Sequence, residues 1–262
     1  MLVSVVTPTL NCAQWMHQCI GSVIMQQTEG VEVEHIVADG GSTDGTDEIA
    51  RSYGCTMYPR DPDEPWVVAY NQAAMSAKGD LVGFLGSDDV LLPGALAAVV
   101  RRYQASGRRW VTGGLQWCDG DMRPLGTIAA PPEWLGVEAM ASLGWAFIND
   151  RATYFEKSFF DELGGLDESF GIAGDFDMFC RALRLAPYAR EPQVLAMFRR
   201  HGENMSIVGE KVAAENDLVA RVYGPDQEWK RAAYRLGMKV YVNGRNPLWT
   251  YRKRRPLPPV PQ

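Results

Sequence analysis

The sequence predicts an α/β fold: a mostly parallel sheet with helices on both faces, extended by a helical, basic C-terminal tail. Three observations carry this. In the N-terminal half, apolar runs of strand length alternate with stretches of helical spacing, as in a parallel sheet with right-handed crossovers. Two carboxylate clusters, Asp39-Gly40-Gly41-Ser42-Thr43-Asp44-Gly45-Thr46 and Ser87-Asp88-Asp89, each follow one of those runs, at the strand ends where open α/β sheets bind ligands. Charge also changes sign along the chain. Arg221 to Gln262 holds ten Lys/Arg against two acids, +8, in a protein of net charge −6, so the remainder carries −14.

The elements follow in order. Leu2–Thr7 is a strand that Pro8 ends. Asn11 is placed to cap a helix whose apolar positions include Met16, Ile20, Val23 and Ile24. Val31–Ala38 is the second strand, and Asp44 caps the helix that runs to about Tyr53. Cys55–Tyr58 is a short third strand, Pro59 to Pro65 a proline-rich loop, and Val67–Ala77 a helix. Asp80–Leu85 is a fourth strand ending at the acid pair; Pro93 opens the next helix, with Leu96, Val99, Val100 and Tyr103 on its apolar face. The second half is less regular. Strands are expected at Trp110–Trp117, Met122–Ile128, Ala152–Glu156 and Val194–Phe198, and helices at Glu133–Leu143, Lys157–Leu163 and Asp175–Leu185. Gly164-Gly165 stops the second of these helices. In the tail, Trp229, Ala232, Ala233, Leu236 and Val240 share one helical face, which either lies on a membrane or packs on the body. Pro256 to Pro261 is a low-complexity terminus expected to be disordered.

Bulk properties narrow the function. With 262 residues, 46% hydrophobic, the chain can build one large domain plus a tail. No apolar run reaches the ~18 residues of a membrane span. Leu2 to Val6 runs straight into Thr7-Pro8-Thr9, with no basic start or cleavage site, so no secretory signal is expected. The five cysteines are scattered and form no Cys-x-x-Cys pair, which argues against zinc or a disulfide framework and for a reducing cytoplasm. An acidic body repels nucleic acid, whereas the basic tail suits the anionic inner face of the cell membrane.

The clusters permit definite chemistry. A carboxylate at a strand end, such as Asp39, can accept a hydrogen bond from the imide N–H of uracil, thymine or guanine, or can simply support its turn. The glycines read as turn formers; the segment is neither Gly-x-Gly-x-x-Gly nor a P-loop. Adjacent acids at Asp88 and Asp89 suit a hard divalent cation and hence a phosphate-bearing substrate, or a cap for the following helix. Asp175 stands where a helix begins, an N-cap position by itself.

A family resemblance adds to these readings. Its motifs are Val3-Ser4-Val5-Val6-Thr7-Pro8-Thr9-Leu10-Asn11, Ser22-Val23 with Gln26, the Asp39 turn, Ala69-Tyr70-Asn71, and Gly79-Asp80 through Asp89. They continue with Leu163-Gly164-Gly165-Leu166-Asp167-Glu168 and Gly174-Asp175-Phe176-Asp177. In order and spacing the chain resembles the inverting glycosyltransferases of family 2, of GT-A fold, over roughly residues 2 to 205.

The resemblance implies that Asp39 contacts the nucleobase and that Thr7, Pro8 and Leu10 line the same pocket. Asp63, Asn71, Ser87 and Asp88 join the donor group. Asp88 with Asp89, and His201 from the Arg199-Arg200-His201 stretch, would hold Mn2+ or Mg2+ on the diphosphate. Asp175 becomes the general base, and Asp177 structural. The implied donor is a UDP-, GDP- or dTDP-linked sugar, and the acceptor a saccharide or lipid-linked saccharide. Residues 1–208 form the catalytic domain, with a donor half at 1–105 and an acceptor half at 106–208; residues 209–262 are an extension. The chain departs from the family pattern at Gly86 and Gly174, where acids are usual, and at Pro65, Val68 and Gln72. Two rivals remain: a non-catalytic nucleotide-sugar-binding module, and a nucleotidyltransferase. Against the second, Thr7–Cys12 holds no Lys or Arg for a triphosphate.

Overall fold

The structure, a computed structural model, describes residues 1–58, 64–202, 204 and 209–245. Asp63, the basic run Arg252 to Arg255 and the proline-rich terminus lie outside the described residues.

The N-terminal half is built as the alternation predicts. Strands β1 (Leu2–Thr9), β2 (Glu32–Asp39), β3 (Thr56–Tyr58) and β4 (Leu81–Phe84) are joined by helices α1 (Ala13–Ile24), α2 (Thr46–Ser52) and α3 (Trp66–Met75). They pair in parallel in the order β3-β2-β1-β4. The chain steps outward from β1 to β3 and then returns to the other side of β1. The reversal falls between β1 and β4, where such sheets open a crevice at their carboxyl ends. Register puts Thr9 beside Asp39 and Val6 beside Phe84. Leu85 N–H still bonds Val6 C=O at 3.1 Å, so residues 86–89 leave the sheet at that same edge.

Beyond β4 come β5 (Val90–Leu91), α4 (Ala95–Ser106), β6 (Trp110–Cys118), β7 (Pro124–Ile128), α5 (Val137–Leu143), a 3-10 turn (Asp150–Ala152), β8 (Thr153–Glu156), α6 (Lys157–Leu163), α7 (Gly174–Leu185) and β9 (Ala189–Arg199). The sheet continues β4-β8-β6-β9-β5, with β7 on β6. Here the directions mix. β8 runs antiparallel to both β4 and β6, while β6 and β9 are parallel. The helix expected from Glu133 starts at Val137, because Pro132 to Leu135 closes a turn (2.8 Å) and Gly136 takes the N-cap. Strand β9 reaches well beyond the expected Val194–Phe198. Two-residue β5 is too short for any periodicity to reveal.

Both sheet faces are covered. On one, Val5, Cys19, Val23, Leu96, Val99 and Leu195 join β1, α1, α4 and β9. On the other, Trp110 is wholly buried and stacks on Phe155 (centroids 5.4 Å, planes 10° apart) and Phe179 (6.4 Å). Its indole N–H is satisfied by Ala186 C=O at 3.0 Å. Burying a ring of this size contributes about 3 kcal/mol or less, and here it ties β6, β8 and α7 together.

Helices α8 (Gly209–Tyr223) and α9 (Glu228–Arg245) close the described chain. Both pack on α5. The contact face of α9 is not the Trp229–Val240 stripe. It consists of buried Met238 with Tyr234, Tyr241 and Val242, anchored by Arg235 Nε donating to Ser142 C=O (2.6 Å) and Tyr241 hydroxyl donating to Ala130 C=O (2.5 Å). Among the described residues no helix is long and apolar enough to cross a membrane.

Candidate active site

At the β1–β2 edge the glycine-rich turn is laced to the start of α1. Asp39 Oδ2 accepts from the N–H of Gly41 (3.1 Å) and Ser42 (2.9 Å), and Oδ1 from the Ser42 hydroxyl (2.5 Å). Ser42 Oγ in turn accepts from Asn11 N–H (2.8 Å), while Asn11 Oδ1 accepts from Thr43 N–H (2.9 Å). Asn11 therefore does not cap α1. It sits at φ 52°, a left-handed conformation that asparagine tolerates, and Cys12 takes the N-cap. Asp44 serves two helices: Oδ2 accepts from Ala13 N–H (2.9 Å), and Oδ1 from the N–H and hydroxyl of Thr46. Gly45 rather than Asp44 is the N-cap of α2, at φ 94°. Asp39 remains half-buried, and its Oδ1 has one lone pair in use, so it can still accept from a ligand.

The neighbouring pocket residues separate. Leu10 is 55% exposed at the strand end and Pro8 is half-buried beside it. Thr7 is fully buried, its hydroxyl against His35 Nε2 at 2.9 Å. Burial lowers His35 to about 4 and keeps it neutral. The Thr7 side chain is thus turned into the core and does not reach solvent. Asn71, expected in the donor group, is buried and clamps the chain at Leu166. Its amide donates to Leu166 C=O and accepts from Leu166 N–H, both at 2.8 Å. Gly165, at φ 76°, is required there, because a Cβ would stand 2.4 Å from Asn71 Oδ1.

At the β4 end the two acids take different places. Asp88 Oδ2 meets His201 Nε2 and Asn204 Nδ2, both at 2.9 Å, and its side chain is partly open to solvent. Asp89 is fully buried. Its Oδ1 accepts from Arg199 N–H (2.8 Å) and its Oδ2 from Arg151 Nε. Burial pushes its carboxyl up to about 7, while the Arg151 guanidinium pulls it back down. Asp89, expected as a metal neighbour, is turned into the protein, and each of its oxygens accepts from a protein donor. Ser87 is buried as well. Gly86 has a steric reason: a Cβ there would lie 2.6 Å from Asp89 Oδ2 and 2.8 Å from Asp88 Oδ1.

A buried arginine organises this edge. Arg199, at 1% exposure, donates to Asp88 C=O (2.7 Å), Gly120 C=O (2.6 Å) and Gln18 Oε1 (2.5 Å), and stacks over Trp15 at 4.1 Å. The other face of this arrangement is His201, whose ring lies 5.8 Å from that of Trp15.

Asp175 is the second residue of α7, half-buried in the first turn. The loop before it is pinned by Glu215 of α8, whose Oε2 accepts from Ile172 N–H (2.7 Å) and Ala173 N–H (3.0 Å). Desolvation first, then the nearby Asp150 charge, lifts the Asp175 carboxyl to about 7; Arg151 opposes them. Asp150 accepts from Arg151 Nη1 at 2.7 Å, and the surrounding acids hold Arg151 firmly positive. Ion pairs thus join Asp89, Arg151 and Asp150, and the Asp150 charge acts on Asp175. Buried Tyr70, stacked on Phe84 at 4.3 Å, feels Asp150 and Asp175. Asp177 turns away to Arg181 Nε and the Tyr223 hydroxyl, both at 2.7 Å.

Sequence reasoning missed Asp150, Arg151, Trp15, Gln18 and Glu215. Only the charged pair Asp150-Arg151 ahead of an apolar strand offered a signal. Among the described residues no three His, Cys, Asp or Glu side chains gather as a metal site.

Comparison with known proteins accords with this geometry. The family model described as glycosyl transferase family 2 matches residues 4–162. An uncharacterized glycosyltransferase of Mycobacterium tuberculosis is 32% identical over 187 residues, 69% of this chain and 68% of the relative. An uncharacterized glycosyltransferase of Rickettsia felis is 25% identical over 82% of this chain, and a chondroitin synthase of Pasteurella multocida 26% identical over 83%. The chain spans only 36% and 22% of the length of those two. Two solved structures share the fold. S. aureus TarS 1-349 in complex with UDP-GlcNAc aligns with TM-score 0.64 at 17% identity, over 89% of this chain and 70% of that one. A mannosyltransferase from Pyrobaculum calidifontis in complex with GDP-Man and Mn2+ aligns with TM-score 0.58 at 16% identity, over 96% and 83%.

Proposed function

The chain belongs to glycosyl transferase family 2 and has the GT-A fold, and on that premise we propose that it moves a sugar, with inversion, from a nucleoside-diphosphate-sugar to an acceptor hydroxyl. The observation that carries this reading is Asp175. It is a half-buried carboxylate at a helix start, held near neutral pKa and linked through Asp150 and Arg151 to the acids at the β4 end. A base with that pKa is matched to taking a proton from an alcohol near pH 7.

The residues divide the work. Asp39, with Leu10 and Pro8 beside it, accepts the imide N–H of the base, which favours a UDP-, GDP- or dTDP-linked donor over a cytidine or adenosine one. Asp175 removes the acceptor proton as the oxygen attacks the anomeric carbon from the face opposite the diphosphate. The bond to the diphosphate breaks, and the electron pair leaves with it. Arg151, kept positive by the acids around it, is the cation that would answer that charge.

Asp88 and His201 fit a divalent cation, Mn2+ or Mg2+. Their polar atoms meet at one place, 2.9 Å apart, so a cation there would be held by these two side chains in exchange for their mutual hydrogen bond. When bound, the cation supplies charge stabilisation to the leaving diphosphate. Asp89 is then the buried anchor of Arg151 and of the β9 end.

Residues 1–105 serve as the donor half and 106–208 as the acceptor half. The extension from 209 contributes Glu215 and Tyr223 to the support of α7. The acceptor is a saccharide or lipid-linked saccharide, and a cytoplasmic site at the inner membrane face suits the latter. A binding module without catalysis is favoured by the glycines at 86 and 174, which stand where acids are usual. Thermal shift with UDP, GDP, dTDP, CDP and ADP, with and without Mn2+, tests the donor. The first three are expected to raise the midpoint and the last two not. Equal shifts with all five would remove Asp39 as the reader of the base. Release of nucleoside diphosphate from a donor with acceptor present separates an enzyme from a module.

A further inference from the structure

Helix α9 has two apolar faces, and the body uses only one. Met238, Tyr234, Tyr241 and Val242 pack on the body. On the opposite side Trp229 (69% exposed), Leu236 (63%) and Val240 (65%) stand in solvent, with Ala232 and Ala233 between them. Their spacing of three, four and seven residues makes one continuous stripe along the helix. An eighteen-residue helix spans about 27 Å, so the stripe is an extended ridge. Exposed tryptophan and leucine in register on a helix already held by its other face are not explained by folding.

Charge says what covers this ridge. On the wheel Lys230 lies along one flank of the stripe and Lys239 along the other, and Lys239 is exposed. The helix holds five Lys/Arg against Glu228 alone. The chain continues from Arg245 into a segment containing Arg252, Lys253, Arg254 and Arg255. Two copies of this chain face to face would bring these cations together. A stripe of five side chains, two of them alanine, also falls short of the roughly 800 Å² per partner of a stable protein interface. An anionic bilayer answers both features. The apolar ridge enters the acyl boundary, and the lysines meet lipid phosphates.

We propose that the Trp229–Ala232–Ala233–Leu236–Val240 face of α9 is a membrane-docking surface that seats the catalytic body on anionic lipid, with the helix lying in the plane of the interface. The inference is independent of the sugar-transfer reading.

The test uses the full chain and vesicles of phosphatidylcholine with or without phosphatidylglycerol. The protein is expected to float with the anionic vesicles at low salt, and to be released as salt rises, because the lysine contribution is screened. The double variant Leu236→Asp with Val240→Asp should lose at least about tenfold in vesicle binding. Both positions are exposed, so its thermal midpoint and its nucleotide-induced shift should match the parent. Retention of that shift shows that the donor site is intact whichever way the vesicle result falls. The proposal is overturned if the parent fails to float at low salt, or if the double variant floats equally well. It is also overturned if the parent sediments as a dimer that the double variant dissolves, which would assign the ridge to a second copy.

Discussion

Asp175 offers the sharpest test, because its environment predicts a rate, a pH profile and a change in stability together. With the carboxyl lifted to about 7, about a tenth is ionised at about pH 6 and about nine tenths at about pH 8. If Asp175 takes the acceptor proton, kcat/KM should therefore rise about tenfold across that interval. An aspartate of ordinary pKa would be ionised throughout, and the profile would be flat. Asp175→Asn should lower kcat by roughly two to four powers of ten, while donor affinity, read by thermal shift, stays nearly unchanged. Asp150→Asn should move the rising limb to lower pH, since the Asp150 charge is one of the causes of the shift.

The stability arm has the opposite sign. A carboxyl whose folded pKa is raised contributes stability that is complete below its unfolded value, 3.8, and is lost as pH rises through about 7. Above that window the ionised, desolvated group works against the fold, by at most about 4 kcal/mol, and by less because the side chain is half open. Asp175→Asn should thus be more stable than the parent at about pH 8, and the gain should vanish at about pH 4. Urea melts at the two pH values measure this. A variant that turns over at the parent rate, or a parent profile without the limb, would end the assignment of Asp175 as the base.

Three further predictions follow. Asp88→Asn should abolish the Mn2+-dependent part of the UDP thermal shift and leave the metal-free part; an unchanged Mn2+ response would exclude Asp88 as a ligand. Asn71→Ala strands the buried N–H and C=O of Leu166 and should cost about 2 kcal/mol or more in urea unfolding, with nucleotide affinity intact in the refolded protein. Loss of nucleotide binding without loss of stability would restore Asn71 to the donor group. Arg199→Leu leaves the carbonyls of Asp88 and Gly120 and the Gln18 amide without their donor and should cost about 3–5 kcal/mol; a cost below about 1 kcal/mol would mean water replaces the guanidinium easily.

The N-terminal half of the fold was legible in the sequence for a physical reason. Strands buried on both faces are continuous apolar runs, and their turns must carry Gly, Asp and Ser. Val3–Val6 and Ile36–Ala38 could hardly be read otherwise, and Asp39, Asp88 and Asp175 stand at element ends where a one-dimensional pattern can place them. The region from β5 to β9 was harder. Antiparallel β8 is four residues long and β5 two, below the length at which periodicity speaks. The family pattern could place Asn71 near the donor, but only the three-dimensional turn of Gly165 against it reveals a clamp. Arg151 and Asp150 are far in sequence from the acids they serve, and their partnership is a product of the β4–β8 pairing. For α9 the pattern announced an amphipathic helix but not which of two apolar faces would turn inward. The Tyr-Met face won because the Tyr241 hydroxyl donates to Ala130 C=O and the Tyr234 hydroxyl to the Glu138 carboxylate, whereas the Trp229 stripe has no polar tip beyond the indole to satisfy.

The glycine at 86 and the arginine at 199 are two parts of one solution. A side chain at 86 would occupy the space that the two carboxylates fill. Without it, Asp89 can turn inward to receive Arg151 and the backbone of Arg199, and Asp88 is left facing outward toward His201. Arg199 in turn holds the Asp88 carbonyl, Gln18 of α1 and the Trp15 ring. The end of β9 therefore reaches the β1–β4 crevice only when α1, β4 and β9 have all docked. Asp88 meets His201 only in the closed fold, because residues 113 apart in the chain contribute the two groups. A cation bound by both should stabilise the fold against unfolding as well as the diphosphate. The departure from the usual acid at 86 accordingly transfers the burden of orienting Asp88 to the far end of the sheet and does not in itself argue for a dead site.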